Sequence, residues 1–191
     1  VGRWRALNRR QKDLAHGLRA PDGNDEYLIY QSLVASWPFD DSEREQFIPR
    51  LQQFVLKAIR EARVHTTWLK PDDAYEQACL RFVERILSPS RRNTFLEEFI
   101  RFQQRVARLG VYNSLSQVLL KIASPGVPDF YQGTELWDLS FVDPDNRRPV
   151  DFEKRAILLR EIEKRAASDL PGLIAELLAS PQDGRVKMFL T

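Results

Sequence analysis

"SPGVPDFYQGTELWDLSFVDPDNRRPVDF", residues Ser124 to Phe152, differs from everything around it. Amphipathic helical patterns flank it, whereas this stretch sets Pro125, Pro128, Pro144 and Pro149 and glycines 126 and 133 among aromatics, acids and the Arg147-Arg148 pair. Val127, Phe130 and Tyr131 are strand formers. Gly126, Pro128 and Gly133 punctuate them so closely that only a short strand fits, after Pro125-Gly126 and before Gly133. A strand that follows an amphipathic helix and opens into a long polar loop suits the last strand of a parallel (β/α)8 barrel. There the loop past the strand's C-terminal end helps to build the active-site face.

That loop carries Glu135, Asp138, Asp143, Asp145, Asn146, Arg147, Arg148 and Asp151 interleaved with Trp137 and Phe141. Sugars present hydroxyl rims and apolar ring faces, so their sites combine acids and arginines for hydrogen bonds with aromatics for stacking. An Asp-Pro-Asp-Asn run is equally a turn sequence, and Arg–Asp pairs also staple loops. From the residues alone, a sugar site and a braced loop stand side by side.

On the N-terminal side the pattern is helical. The first 24 residues read as a short helix at most, then a loop punctuated by Pro21 and Gly23. A helix capped by Asp25 covers "DEYLIYQSLVASW" and ends at Pro38. A long helix follows to about Val64, with Phe47, Ile48, Leu51, Phe54, Val55, Ala58, Ile59 and Ala62 at helical spacing and Pro49 predicting a kink or restart. "DDAYEQACLRFVERIL" is the next, with a stripe of Tyr75, Ala78, Cys79, Phe82, Val83 and Ile86, broken by "SPSRRN" at 88–93. Phe95, Phe99, Phe102, Val106 and Leu109 form a narrow seam that Gly110 is expected to cap, and "VYNSLSQVLLKIAS" is read as a separate helix.

Beyond the loop, helices are expected over Asp151–Ala167 and Pro171–Ala179, then a strand in "RVKMFLT" from the alternation of Val186, Met188 and Leu190. The expected fold class is therefore mainly α. It comprises a helical bundle subdomain, a short strand corresponding to the last strand of a (β/α)8 barrel, and a C-terminal strand left without its sheet. The expected division is a lead-in at 1–24, a helical subdomain at 25–123, the strand and substrate loop at 124–152, and a helical tail entering a sheet domain at 153–191. Val1 in place of an initiator Met, and the unpartnered last strand, read as a piece of a longer protein.

Composition narrows the function classes. Lys+Arg 29 against Asp+Glu 27 leaves a formal charge of +2, and basic residues alternate with acids along the helices, which argues against a nucleic-acid partner. The lone Cys79 sits in an apolar phase and reads as a core thiol. No apolar stretch reaches the ~18 residues of a membrane span and no signal-peptide pattern opens the chain, so a cytoplasmic location is the default expectation. No metal-ligand spacing stands out, and no cofactor is expected.

"PGVPDFYQGTELWD" resembles the eighth-strand motif of the α-amylase superfamily of glycoside hydrolases, in which a Gly-x-Pro run leads through aromatics to Gly-x-Glu. The longer block from Ser124 to Phe152, with "DEYLIYQSLVASWP" and "KAIREARVHTTWLKPDDAYE", is similar to the trehalose-forming transglycosylases of that superfamily, from about Asp25 to Thr191. The resemblance implies an intramolecular transglycosylase of the isomerase class. Such an enzyme turns the reducing-end α-1,4 linkage of a maltooligosaccharide into an α,α-1,1 linkage, as trehalose biosynthesis requires. It also implies a retaining mechanism, with an Asp nucleophile and a Glu acid/base about 5–5.5 Å apart and a third Asp that stabilises the distorted sugar.

In that family the three carboxylates lie on earlier strands, and no His-Asp-Thr run, which marks the third Asp, occurs here: His16 precedes Gly17 and His65 precedes Thr66. No residue of this chain is therefore expected to be catalytic, and the chain alone is expected to be inactive. The substrate-binding candidates are Gln132, Glu135, Trp137, Asp143, Asp145, Arg147 and Arg148, with Tyr131 in the core. His65 and Trp68 of "HTTW" are weighed as a sugar platform against simple packing.

The expected partner is a maltooligosaccharide in the intact enzyme, with no membrane partner and with self-association through surface that a missing barrel would cover. Two alternatives remain: a helical interaction module docking through the Phe95–Leu109 seam, and a piece of another α-amylase-superfamily hydrolase.

Overall fold

The computed structural model describes residues 1–89 and 92–191, so Ser90 and Arg91 of the predicted break lie outside the described residues. Eight helices and one small hairpin are present among them: α1 (Gly2–Asn8), β1 (Asp13–Ala15), β2 (Leu18–Ala20), α2 (Gly23–Ser36), α3 (Arg44–Ala62), α4 (Asp73–Leu87), α5 (Thr94–Ala123), α6 (Phe152–Ser168), α7 (Leu170–Ala179) and α8 (Arg185–Leu190). The mainly α expectation holds. No helix among the described residues is long and apolar enough to cross a membrane.

The chain divides into two compact units, Val1–Val106 with Ser140–Asn146, and Ala107–Leu139 with Arg147–Thr191. In the first unit most of the predicted stripe residues turn inward, with Ile48, Phe54 and Ala58 half-buried and Ala62 exposed. Phe47, Leu51, Val55 and Ile59 of α3 are buried together with Tyr75, Ala78, Cys79, Phe82, Val83 and Ile86 of α4. Trp4 of α1 sits edge-on to Tyr30, Phe95, Phe99 and Phe102, with ring centroids 5.4 to 5.8 Å away. Edge-to-face pairs of this kind add to the area they bury. The second unit has its own cluster of Leu136, Ile162, Leu173, Leu177, Val186 and Met188.

Several expectations are corrected. The lead-in contains the antiparallel β1–β2 pair, in register Asp13–Ala20, Leu14–Arg19 and Ala15–Leu18. Its two-residue turn is His16-Gly17, both at positive φ (51° and 80°). Such hairpin turns require positive φ at both central residues, and Gly supplies it without steric cost while His does so less readily. Helix α2 is capped by Asp22 instead of Asp25, the Asp22 carboxylate accepting the backbone N–H groups of Asn24 and Asp25. Helix α3 runs through Pro49 without restarting, at the cost of one backbone hydrogen bond.

Gly110 does not end a helix. It lies inside the 30-residue α5, is not at positive φ, and so does not adopt the left-handed conformation of a C-terminal cap. The seam is likewise split: Phe95 and Phe99 are buried, whereas Phe102 and Leu109 are exposed.

Residues 127–131 form no strand, since a strand is defined by neighbours that complete its ladder and this segment pairs with none among the described residues. The C-terminal strand is instead helix α8. Val186 and Met188 are both buried, so the alternation correctly marked inward residues, but over six residues it does not separate a strand from a short helix. With helices α6 and α7 as its packing surface, the helix wins.

Candidate functional site

The loop singled out by its sequence is held by long basic side chains reaching out of helices. In the first unit, Phe141 is buried and stacks on Phe54 of α3 at 4.9 Å and 15°. Beside it, Arg50 of α3 grips Asp145 through Nε–Oδ1 and Nη2–Oδ2, both 2.8 Å. The same carboxylate accepts the backbone N–H of Phe141 at 2.7 Å. Lys57, two turns further along α3, donates to the carbonyl oxygen of Asp143 at 2.5 Å. These bonds fold Ser140–Asn146 back on itself and onto one helix.

In the second unit, Gly133 takes a positive φ of 87° that a side chain would strain, and Thr134 bonds back to the Tyr131 carbonyl through both its N–H and its hydroxyl. Arg155 of α6 pairs with Glu135 at 3.2 Å and donates to the Gly133 carbonyl at 2.7 Å. Leu136 is buried in the second cluster, and Trp137 donates its indole N–H to the Pro181 carbonyl at 2.7 Å. Lys187 of α8 places its ammonium 5.5 Å from the Trp137 ring and donates to the Leu136 carbonyl. Burial there pushes the Lys187 pKa below its ordinary value.

Asp145, Glu135 and Trp137 have partners that fix the loop, and Asp143 contributes its backbone carbonyl to the same task. Gln132, Arg147 and Arg148 present their side chains at the surface. Asp143 and Asp145 lie in the first unit, and Gln132, Glu135, Trp137, Arg147 and Arg148 in the second.

The "HTTW" segment is the other candidate. His65 stacks on Tyr75 at 4.2 Å and bonds through Nε2 to Asp22 Oδ2 at 2.9 Å. Tyr75 donates its hydroxyl to Asp25 at 2.5 Å and accepts the Asp22 backbone N–H. Burial raises the Asp25 carboxyl pKa; at Asp22 burial pushes the same way, but the N–H groups of Asp25 and Asn24 together with His65 outweigh it. One ligand-type atom from each of Asp22, Asp25 and His65 lies within 4.8 Å of the others. The same atoms cap α2 and hold the Tyr75 hydroxyl, a structural task that brings them together. Thr66 is buried and donates to Glu76, which also takes a two-point contact from Arg60, and the Arg60 guanidinium lies 4.9 Å from the Trp68 ring.

No family model matches the chain. A curated relative, the putative maltooligosyl trehalose synthase of Mycobacterium tuberculosis, is 35% identical over 144 residues, which are 75% of this chain and 18% of the relative. A crystal structure of a maltooligosyl trehalose synthase is 35% identical and superposes with a TM-score of 0.79, over 99% of this chain and 23% of that one. The maltooligosyltrehalose synthase of Arthrobacter ramosus gives 33% identity and a TM-score of 0.72, again over 99% of this chain and 22% of its own. The chain corresponds to one segment of a maltooligosyl trehalose synthase.

The chain spans about one fifth of the length of the synthases that it matches. Sequence reasoning placed the loop but missed the residues that hold it, Arg50, Lys57, Arg155 and Lys187. Their signal is faint: each is one basic residue on the flank of an amphipathic helix, where a solvated role is the ordinary reading. The His65–Tyr75–Asp22 group was also missed, because its members are separated in sequence and meet only when α2 and α4 pack.

Proposed function

We propose that this chain works as part of a maltooligosyl trehalose synthase, contributing a segment of the wall that receives the maltooligosaccharide. The observation that carries the reading is the match itself: a third of the residues identical, with the backbone followed over 99% of the chain. In the intact enzyme the reaction would be an intramolecular, retaining glycosyl transfer of the isomerase class. A glycosyl-enzyme would form on a nucleophilic carboxylate, and the 1-hydroxyl of the released glucose would then attack in place of water. The resemblance puts those carboxylates outside this chain, so its own part is binding and water exclusion.

Within the loop, Gln132, Arg147 and Arg148 are the residues offered to sugar hydroxyls. Arg50 and Arg155 act as positioning residues that keep the loop in one shape, so that little ordering entropy remains to be lost when sugar binds. A cytoplasmic setting accords with the single free thiol.

The test is to join this chain to the remainder of a matched synthase and follow the loss of reducing ends from maltopentaose. The assembled protein is expected to turn over and this chain alone is not. Arg147→Ala and Arg148→Ala should raise KM. Turnover by this chain alone, or an assembled protein that leaves all reducing ends intact, would overturn the reading.

A further inference from the structure

The two rings of "HTTW" are used differently. His65 is committed to packing, stacked on Tyr75 and bonded to Asp22. Trp68 is not: 56% of it remains exposed, although Trp is among the residue types that folded chains cover most completely on average. The backbone that carries it is closed. Thr67 donates its N–H to the Lys70 carbonyl at 3.2 Å, and the Lys70 N–H returns to the Thr67 hydroxyl at 2.9 Å, so Trp68 and Leu69 stand at the tip of a tied turn. Leu69 is 99% exposed there.

The indole is braced from one side. The Arg60 guanidinium lies 4.9 Å from the ring, and it is itself held by two contacts of 2.8 and 2.6 Å to Glu76, which is buried and also takes the Thr66 hydroxyl. A cation–π contact with Arg accounts for that face alone. The exposure that remains, above one half, belongs to the face turned away from Arg60. A flat apolar ring fixed in water by an ion pair anchored in the core has already given up the freedom that binding would otherwise remove.

We propose that Trp68 is a stacking platform for a maltooligosaccharide. Its open face takes the apolar face of one glucose ring, and the exposed Lys70 of the same turn donates to that ring's hydroxyls. The inference deepens the proposed function and rests on it. The surroundings of the indole favour a sugar over a polypeptide. A protein interface is apolar and desolvated through its centre, whereas this ring sits among the Arg60 guanidinium and the polar turn residues Thr67 and Lys70, with Leu69 the one apolar side chain beside it in the turn. A sugar offers the matching surface, an apolar ring face inside a rim of hydroxyls.

The experiment titrates the nitrogen-15-labelled chain with maltoheptaose and follows its spectrum by NMR. The chain has four tryptophans, so four indole N–H resonances report where sugar binds. The Trp68 indole is expected to shift on titration. The backbone N–H resonances of Leu69 and Lys70, present in every variant, give the affinity. Trp68→Ala should weaken binding at this turn at least about tenfold, as loss of a central aromatic anchor does. Trp68→Phe keeps an aromatic face and should stay within about threefold of the unmodified chain. Arg147→Ala with Arg148→Ala, both in the second unit, should leave the response of the turn unchanged.

A Trp68 indole that stays still while maltoheptaose is added, or equal affinity in Trp68→Ala, would overturn the platform. The proposed function would stand in either case if the assembled synthase consumes the reducing ends of maltopentaose. Binding at the turn that Trp68→Ala abolishes and Trp68→Phe keeps, together with an assembled protein inactive on maltopentaose, would support the platform and sink the proposed function. A dimer of the chain that Trp68→Ala converts to monomer would assign the tip to a second copy and overturn the proposal.

Discussion

Arg50 and Asp145 meet through two parallel 2.8 Å contacts, with side chains only 13% and 11% exposed. The guanidinium also lies 5.7 Å from the Phe141 ring. A planar fork facing a carboxylate in this way fixes direction as well as distance, which an ammonium would not do.

Breaking this pair is expected to be costly because the partner is left behind in a largely water-excluded place. Arg50→Met or Asp145→Asn alone should destabilise the first unit by about 3 kcal/mol. The double variant should cost less than the two singles together, with a coupling of about 1–2 kcal/mol. Urea unfolding of the four proteins measures this, and single-variant losses below about 0.5 kcal/mol would mean that the contact behaves as an ordinary surface pair.

Acid stability should depend on Glu76. Hydrogen bonds from Arg60 hold its carboxyl below the ordinary carboxylate value of 4.5, with Thr66 assisting and burial opposing. A carboxyl depressed in the folded state stabilises the protein above its unfolded pKa, and that contribution disappears as pH falls from there through the depressed value. Glu76→Gln should therefore lower stability at pH 7 and flatten the decline below about pH 4.5. If urea midpoints of the two proteins fall in parallel from pH 7 to pH 3, Glu76 is not the group responsible.

Cys79 is fully buried in α4, and burial pushes its thiol up to about 12. The thiolate is the reactive form, so iodoacetamide at pH 8 should leave the native thiol unmodified while alkylating it in denaturant. The rates are expected to differ by at least about a hundredfold. Comparable rates by mass spectrometry would show that α4 opens readily.

Two glycines should respond in opposite directions to alanine. Gly184 has φ +81°, and a Cβ there would lie 3.2 Å from both Leu136 Cδ2 and the Trp137 backbone nitrogen, so Gly184→Ala should cost about 1–3 kcal/mol. Gly110 is inside α5 with open space where its Cβ would be, and Gly110→Ala should stabilise by about 0.5–1 kcal/mol. Thermal unfolding of both variants decides the matter; a stabilised Gly184→Ala would mean that α8 is not held against the loop.

Legibility followed the range of the interaction. The faces of α3 and α4 were readable because a 3.6-residue period is local: Phe47, Leu51, Val55 and Ile59 of the predicted α3 stripe are buried, although Ala62 is exposed, and α4 also buries Glu76 and Leu87, which its stripe did not include. The His16-Gly17 turn was not, since Gly17 alone is a weak hairpin signal without Asn or Asp before it. The fusion of two predicted helices into α5 reflects a Gly penalty of about 1 kcal/mol, too small to stop a helix with good formers on both sides. Composition marked the loop as polar and aromatic, yet whether an acid there faces sugar or a brace depends on which helix lies beside it. Asp145 and its arginine are 95 positions apart, and no local pattern connects them.

That separation also orders events in time. Closing a loop of 95 residues is entropically unfavourable until the elements between its ends have already shortened it by folding. During synthesis α3 emerges well before Asp145, so the helix bearing Arg50 and Lys57 stands as a template on which the later segment is cast. The last part to acquire its shape is then the one richest in candidate contacts, and a slow phase in refolding, followed through the surroundings of Phe141, would be its signature.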